Sequence, residues 1–175
     1  MLPPDQVLLE LMVHDVDLDR FVALFERLKA EGVTFTTLAV AQDRYPDWLE
    51  RFTALDNATR SETGDPAIPR TPQEMQRRLA SFKLDPAACF LACAGDDWVG
   101  YTLLDPKLSR GRQLEQGWTG VRTEHRRRGI GTALKVLGIQ YARTHGYSAI
   151  VTAPRRRNVA SFSMSTHLGF QPPSP

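Results

Sequence analysis

The densest chemistry in the chain lies in Val121-Arg-Thr-Glu-His-Arg-Arg-Arg-Gly-Ile-Gly-Thr-Ala133. Arg126, Arg127 and Arg128 supply fork-shaped cationic donors. Gly129 and Gly131 let a backbone approach an anion closely. An apolar helical periodicity begins directly behind them. A helix N-terminus carries unpaired N–H groups and about half a positive charge, so the arrangement suits phosphate. It is not a P-loop, because GxxxxGK[ST] is absent. Nor is it a complete dinucleotide fingerprint, because residue 134 is leucine where GxGxxG needs its third glycine. Cys89 and Cys93 match no zinc spacing and read as buried strand residues. His14, His125, His145 and His167 show no ligand spacing, so no metal is expected.

The elements that must hold this stretch can be read around it. Residues 113–121 form a strand that ends at the arginines, and residues 129–144 form a helix with Ala133, Leu134, Leu137 and Tyr141 on one face. A strand over 147–153 and a helix over 158–168, closed by Gly169, follow. Upstream, residues 88–94 and 98–104 read as a hairpin around Gly95-Asp96-Asp97. Thr71-Pro-Gln-Glu74 is a capping box opening a helix to about residue 83. Residues 57–71 read as a polar loop and 46–55 as a short helix. Residues 33–40 read as a strand. A helix capped by Asp15 or Asp17 is expected before it, with Leu18, Phe21, Val22, Phe25 and Leu28 on its stripe. Residues 6–13 read as a first strand. The order predicts an α+β (mixed α/β) fold, a mostly antiparallel sheet with helices on both faces.

At 175 residues with 42% hydrophobic and 24% charged content, the chain is an ordinary globular one. No membrane partner is expected, because no apolar run approaches a span of ~20 residues. The N-terminus lacks a basic signal-peptide region, which makes the cytoplasm the expected location. The net charge of +2 hides a split. Residues 1–97 hold 17 acids and 10 bases, and residues 98–175 hold 3 acids and 12 bases. A basic half containing the glycine–arginine turn points to an anionic ligand there, and the acidic half, with Glu62 and Asp65 in the loop, to attraction of a cation.

Arg126-x-x-Gly129-x-Gly131 between strand and helix resembles the pyrophosphate loop of the GNAT family of acetyl-CoA-dependent N-acetyltransferases. Asn158-x-x-Ser161 followed by Leu168-Gly169-Phe170 is similar to that family's last helix and its Leu-Gly-Phe ending. The wording is nearest to bacterial tandem-type domains of the mycothiol synthase kind. The resemblance implies a sheet whose strands splay at the CoA site. It implies Val121, Arg122 and Thr123 along the pantetheine arm. Arg126, Arg127, Arg128, Gly129, Ile130, Gly131, Thr132 and Ala133 would lie around the pyrophosphate, with Asn158 and Ser161 approaching the arm. It implies direct transfer to a primary amine of a small molecule or peptide. Glu115, eleven residues before Arg126, matches the base position of the histone-acetylating branch. Ser165 stands where many members carry a tyrosine acid.

The ends depart from that pattern. Only five residues follow Phe170, where the family adds two strands, and residues 1–31 form an extra strand–helix extension before a domain over 32–175. The expectation is that strand 6–13 fills the place left open, from the same chain or from a partner subunit of a homodimer. Two other readings stand beside the enzyme: a non-catalytic acyl-CoA-binding module or degenerate repeat, and a nucleic-acid binder using Arg126–Arg128 and Arg155–Arg157. Against the last, no aromatic interleaving or nucleic-acid motif is present.

Overall fold

The computed structural model describes residues 3–61, 68–82, 84–106 and 112–173. Six strands, β1 (Leu9–Met12), β2 (Val33–Thr37), β3 (Cys89–Ala94), β4 (Asp97–Asp105), β5 (Gln113–Val121) and β6 (Ala149–Thr152), form one sheet in the order β1-β6-β5-β4-β3-β2. All neighbours are antiparallel except β5 and β6, which run parallel. The mixed, mostly antiparallel architecture read from the sequence is therefore the one observed.

Helices α1 (Val22–Ala30), α2 (Leu38–Arg44), α3 (Trp48–Ser61), α4 (Pro72–Phe82), α5 (Ile130–Thr144) and α6 (Val159–Leu168) cover the sheet. On one face, Ile130, Leu134 and Ile139 of α5 pack on Val99, Leu104, Leu114 and Ile150. On the other, Leu38, Phe52, Leu55 and Met75 from α2, α3 and α4 pack on Cys89, Leu91, Tyr101 and Leu103. The two cysteines are free, buried thiols on that second face, as strand alternation requires.

Three boundaries differ from the sequence expectation. The strand expected over 33–40 stops at Thr37, whose Oγ1 caps α2 by accepting from Val40 N–H at 3.3 Å. Leu38 and Ala41 are then buried as helix residues, so cap chemistry overrides β propensity. The first helix begins at Val22, after two single 3₁₀ turns, and Val22 itself is exposed. Helix α3 continues to Ser61, so residues 57–61 of the expected loop are helical. Asn57 then holds Arg70 from both sides of its amide, at 2.8 Å each, drawing the far end of that segment back onto α3. The capping box is present: Thr71 N–H donates to Glu74 Oε2 at 2.8 Å, and Glu74 N–H donates to Thr71 Oγ1 at 3.3 Å.

The N-terminal strand takes the place beside β6 within the same chain. Leu9, Glu10, Leu11 and Met12 pair antiparallel with Thr152, Val151, Ile150 and Ala149. Leu9 and Leu11 enter the core beside Leu168 and Phe170. The free side of β1 is partly closed by Gln171, which exchanges two backbone hydrogen bonds with Glu10 at 2.7 and 2.9 Å. Arg143 of α5 donates to the carbonyls of Val13 and Val16, fixing the exit of the strand. Leu11 is 3% exposed and Met12 47% exposed. Leu11→Ala should therefore cost about 2–5 kcal/mol of unfolding free energy. Met12→Ala should stay within about 0.5 kcal/mol. Urea denaturation of the two variants checks the placement.

Candidate functional site

The parallel ladder between β5 and β6 ends after three pairs, the last joining Glu115 and Val151. Thr152 Oγ1 reaches Gln116 O at 3.4 Å. From there β5 continues to Val121 paired on its β4 side. The strands part because the chain beyond Thr152 is drawn elsewhere. Pro154 has no N–H to offer a ladder, and its carbonyl accepts from Val7 N–H at 3.1 Å. Arg156 N–H donates to Asp5 O at 2.7 Å, and Gln6 bridges Arg155. The N-terminal segment thus pulls residues 154–156 away from β5. A cleft of about 840 Å³ occupies the gap, with Glu115 at the point of parting and Arg126, Arg127 and residues 129–132 at the mouth of α5.

Peptide direction along β5 follows from alternation. Arg122 N–H donates to Val99 O on β4 at 2.8 Å, so Val121 turns its N–H and C=O to the opened side. Arg126 Nε donates to Val121 O at 2.9 Å, tying the loop to the strand end. Strand β5 also carries a bulge: Thr119 pairs with Thr102 and Gln116 with Leu104, which leaves one extra residue on β5. Simple alternation would put Trp118 and Glu115 on opposite faces. The bulge brings Glu115, Trp118 and Gly120 to the face covered by α3. Trp118 Nε1 there donates to Thr59 Oγ1 at 3.3 Å. Gly120 has no substitute, since a Cβ would lie 2.6 Å from Thr59 Cβ.

The loop is held in a strained, fixed form. Arg127 adopts φ 60° and Gly129 φ 86°, the latter as N-cap of α5. A Cβ on Gly129 would stand 2.7 Å from Leu24 Cδ1. Arg126, Arg127, Gly129, Ile130, Gly131 and Thr132 line the cleft, and so does Val121. The first-turn N–H groups of α5 have no intrahelical acceptors there.

Other expected site residues are not brought to the cleft. Arg128 donates from Nε and a terminal nitrogen to Glu31 Oε2 at 3.0 and 2.7 Å, so its fork faces the end of α1. That pairing, with Arg27 next in effect, holds the Glu31 carboxyl below its ordinary value. Arg122 Nε donates to Trp98 O at 3.0 Å, on the β4 side. Thr123 lies in the single turn Thr123–His125, where its carbonyl accepts from Arg126 N–H at 3.2 Å. Ala133 is buried, and its N–H donates to Gly129 O at 2.9 Å. These four fall outside the lining: Arg128 is held by Glu31, Arg122 turns to β4, Thr123 sits in the turn and Ala133 is spent within α5.

Helix α6 supplies Asn158 and Ser161 to the cleft, with Asn158 Oδ1 capping the helix by accepting from Ser161 N–H at 3.1 Å. Ser165 is fully buried, and its Oγ accepts from Lys135 Nζ at 2.9 Å. It packs between α6 and α5 and does not line the cleft. Glu115 does line the cleft, half-buried. Burial first, and the facing Asp105 second, raise its pKa above the ordinary carboxyl value. Gln116 is buried beside it; its Nε2 donates to Thr102 Oγ1 at 2.6 Å, while Oε1 has no partner.

Among the lining residues that the sequence did not single out for the site are Gln6, Arg60, Arg78 and Trp118. They come from the N-terminal segment, α3, α4 and the bulge, and only packing brings them together. Glu62 and Asp65, read as acceptor-side acids, lie outside the described residues.

The family model described as "Acetyltransferase (GNAT) family" matches residues 49–170. Over 67 residues the chain is 36% identical to N-acetyltransferase family 8 member 3 of Rattus norvegicus; the match covers 38% of this chain and 29% of that protein. The GCN5-related N-acetyltransferase from Sphaerobacter thermophilus superposes with a TM-score of 0.63 at 20% identity, covering 97% of this chain and 49% of its own. A tandem GNAT protein from the clavulanic acid biosynthesis pathway gives a TM-score of 0.65 at 17% identity, covering 95% and 50%. The chain thus spans about half the length of those two structures.

Lys135 is 2% exposed with no carboxylate among its described contacts, and burial lowers its pKa from 10.5 to about 8. Between those values the unfolded chain binds more protons than the folded one, so stability rises with pH across that window. Below pH 8 the full burial cost is present, on the order of 3 kcal/mol. Lys135→Met should be more stable than the wild type at pH 7. The difference should shrink as pH approaches 10, as read by chemical denaturation at each pH.

Proposed function

The chain belongs to the acetyltransferase (GNAT) family, and on that premise we propose that it moves an acetyl group from acetyl-CoA to a primary amine of a small molecule or peptide. The observation that carries this reading is the parting of β5 from β6 in front of the N-terminus of α5. An open strand edge takes an extended amide chain as an added strand. The edge of β5 left unpaired beyond Glu115 suits the amides of a pantetheine arm. The unpartnered Gln116 Oε1 suits a donor buried in the same gap. Arg126, Arg127 and the first N–H groups of α5 suit its pyrophosphate.

The residues present perform direct transfer in a definite order. Glu115 removes a proton from the acceptor ammonium, and its raised pKa brings it nearer to that of an effective base at neutral pH. The neutral amine then attacks the thioester carbonyl, and the N–H of Val121 stabilises the oxyanion. As the C–N bond replaces the C–S bond, the nitrogen gives its second proton to water in the open cleft, and the leaving CoA thiolate takes up a proton from the same water. Burial of Ser165 favours a second reading, a module that binds acyl-CoA without turnover.

Calorimetry with acetyl-CoA and a thiol-release assay over an amine panel separate the two. Binding with turnover supports the enzyme, binding alone the module, and no binding by the folded protein overturns both. Glu115→Gln should lower kcat/KM by roughly 10²–10⁴-fold while acetyl-CoA still binds. The wild-type rate should fall as pH drops through the raised pKa of Glu115, because a protonated carboxyl accepts nothing. The variant should lose that limb. Gly129→Ala, forced against φ 86° and Leu24, should weaken acetyl-CoA binding at least roughly tenfold, about 1.4 kcal/mol.

A further inference from the structure

The end of α1 reaches the cleft through one guanidinium. Arg128 donates from Nε and Nη2 to Glu31 Oε2 at 3.0 and 2.7 Å. Its other terminal nitrogen, Nη1, lies 3.1 Å from His125 Nδ1. Arg27 holds the same residue from behind, donating to Glu31 Oε1 and to the Arg128 carbonyl at 2.8 Å each. Arg128 is thus fixed at its side chain and at its backbone. Glu31 and Arg128 are 34% and 31% exposed. An ion pair that accessible adds little to stability, so its consequence lies in where it holds the histidine.

That contact also fixes the proton on the imidazole. A guanidinium has donors only. Nδ1 of His125 therefore accepts, and the neutral ring carries its N–H at Nε2, on the edge away from Arg128. His125 ends the turn Thr123–His125, half-buried, and lines the cleft. Among the described residues Nε2 meets no hydrogen-bond partner. The lining beside it, Arg126, Arg127 and the first turn of α5, is rich in donors. A ring N–H set among donors suits a ligand group made of acceptors, which a phosphate is.

We infer that His125 donates from Nε2 to a phosphate oxygen of the cofactor, and that Glu31, outside the cleft, is a positioning residue that sets this donor through Arg128. The inference rests on the acetyl-CoA reading of the cleft. The phosphate is either the pyrophosphate or the 3′-phosphate of CoA, and the two are separated by a ligand that lacks the second.

The test is calorimetry on the full chain with CoA and with dephospho-CoA, at a pH above the ordinary imidazole range. His125→Phe should weaken CoA binding at least roughly tenfold. An equal loss with both ligands places the contact at the pyrophosphate, and a loss with CoA alone places it at the 3′-phosphate. His125→Gln carries an amide N–H near the place of Nε2 and should restore part of the affinity. His125→Asn has polar atoms only near Nδ1 and should bind as weakly as His125→Phe. Glu31→Gln should weaken CoA binding about fivefold in the wild-type background and less than about twofold beside His125→Phe. Melting temperatures should stay near that of the wild type, since the residues are accessible. CoA affinity unchanged in His125→Phe, equal losses in His125→Gln and His125→Asn, or a Glu31→Gln loss undiminished beside His125→Phe overturns the inference. No binding of CoA by the folded wild type is a separate readout, which overturns the reading of the cleft and the inference with it.

Discussion

A sheet that opens in its middle must be held together by something other than its ladder. Here the ladder between β5 and β6 stops at Glu115 and Val151, and each buried peptide group left without a partner costs about 1–3 kcal/mol. The opening persists because both flanks are anchored independently. Strand β5 remains paired with β4 to its end, and Gly120 is pressed against Thr59 of α3. Residues 154–156 are bonded to residues 5–7, and β6 is paired along its other side with β1. The N-terminal strand is therefore part of the site's architecture. It completes the sheet, and the segment before it draws one lip of the cleft outward and places Gln6 in the lining.

The same parting organises the chemistry. Glu115 stands where the strands separate, so its carboxyl is half-buried yet reachable, a combination that raises its pKa without sealing it off. The loop at the other end gains its form from contacts behind it. Arg128 and Arg27 lock onto Glu31, and Leu24 packs under Gly129, so the backbone from Arg126 to Gly131 is fixed before any ligand arrives. Such preorganisation lowers the entropy cost of binding an anion. An arginine-rich turn thus divides its labour: Arg126 and Arg127 serve the cleft, while Arg128 serves the scaffold.

Much of this was legible in local pattern. The glycine–arginine turn, its strand and its helix stand where periodicity and N-cap chemistry put them, because those are short-range properties. The capping box at Thr71 and Glu74 and the paired cysteine positions on β3 were equally readable. Local pattern misled where two local preferences compete. Residues 38–40 favour a strand by composition, yet Thr37 caps a helix there. Asn57 and Arg70 were read as loop, yet the amide of Asn57 clamps Arg70 from within α3. The family resemblance put Ser165 at the acid position, but a lysine from α5 donates to its hydroxyl.

By itself the sequence determined the kind of fold, the position of the glycine–arginine turn and the candidate base, since each rests on residues within about a dozen positions of one another. Only the tertiary structure decided which strand closes the sheet, because the partner of β6 lies more than a hundred residues away in the chain. It also decided which residues line the cleft beside Glu115. A single bulge in β5 turns Trp118 to the side of Glu115, and helix packing sets Arg60 and Arg78 against it. The overall charge split of the sequence pointed to an acidic acceptor side. Burial and pairing, not composition, fix which charges face the cleft: the buried Asp56 is bound by Tyr101 and Arg70, while Glu115 stays half-buried in the lining.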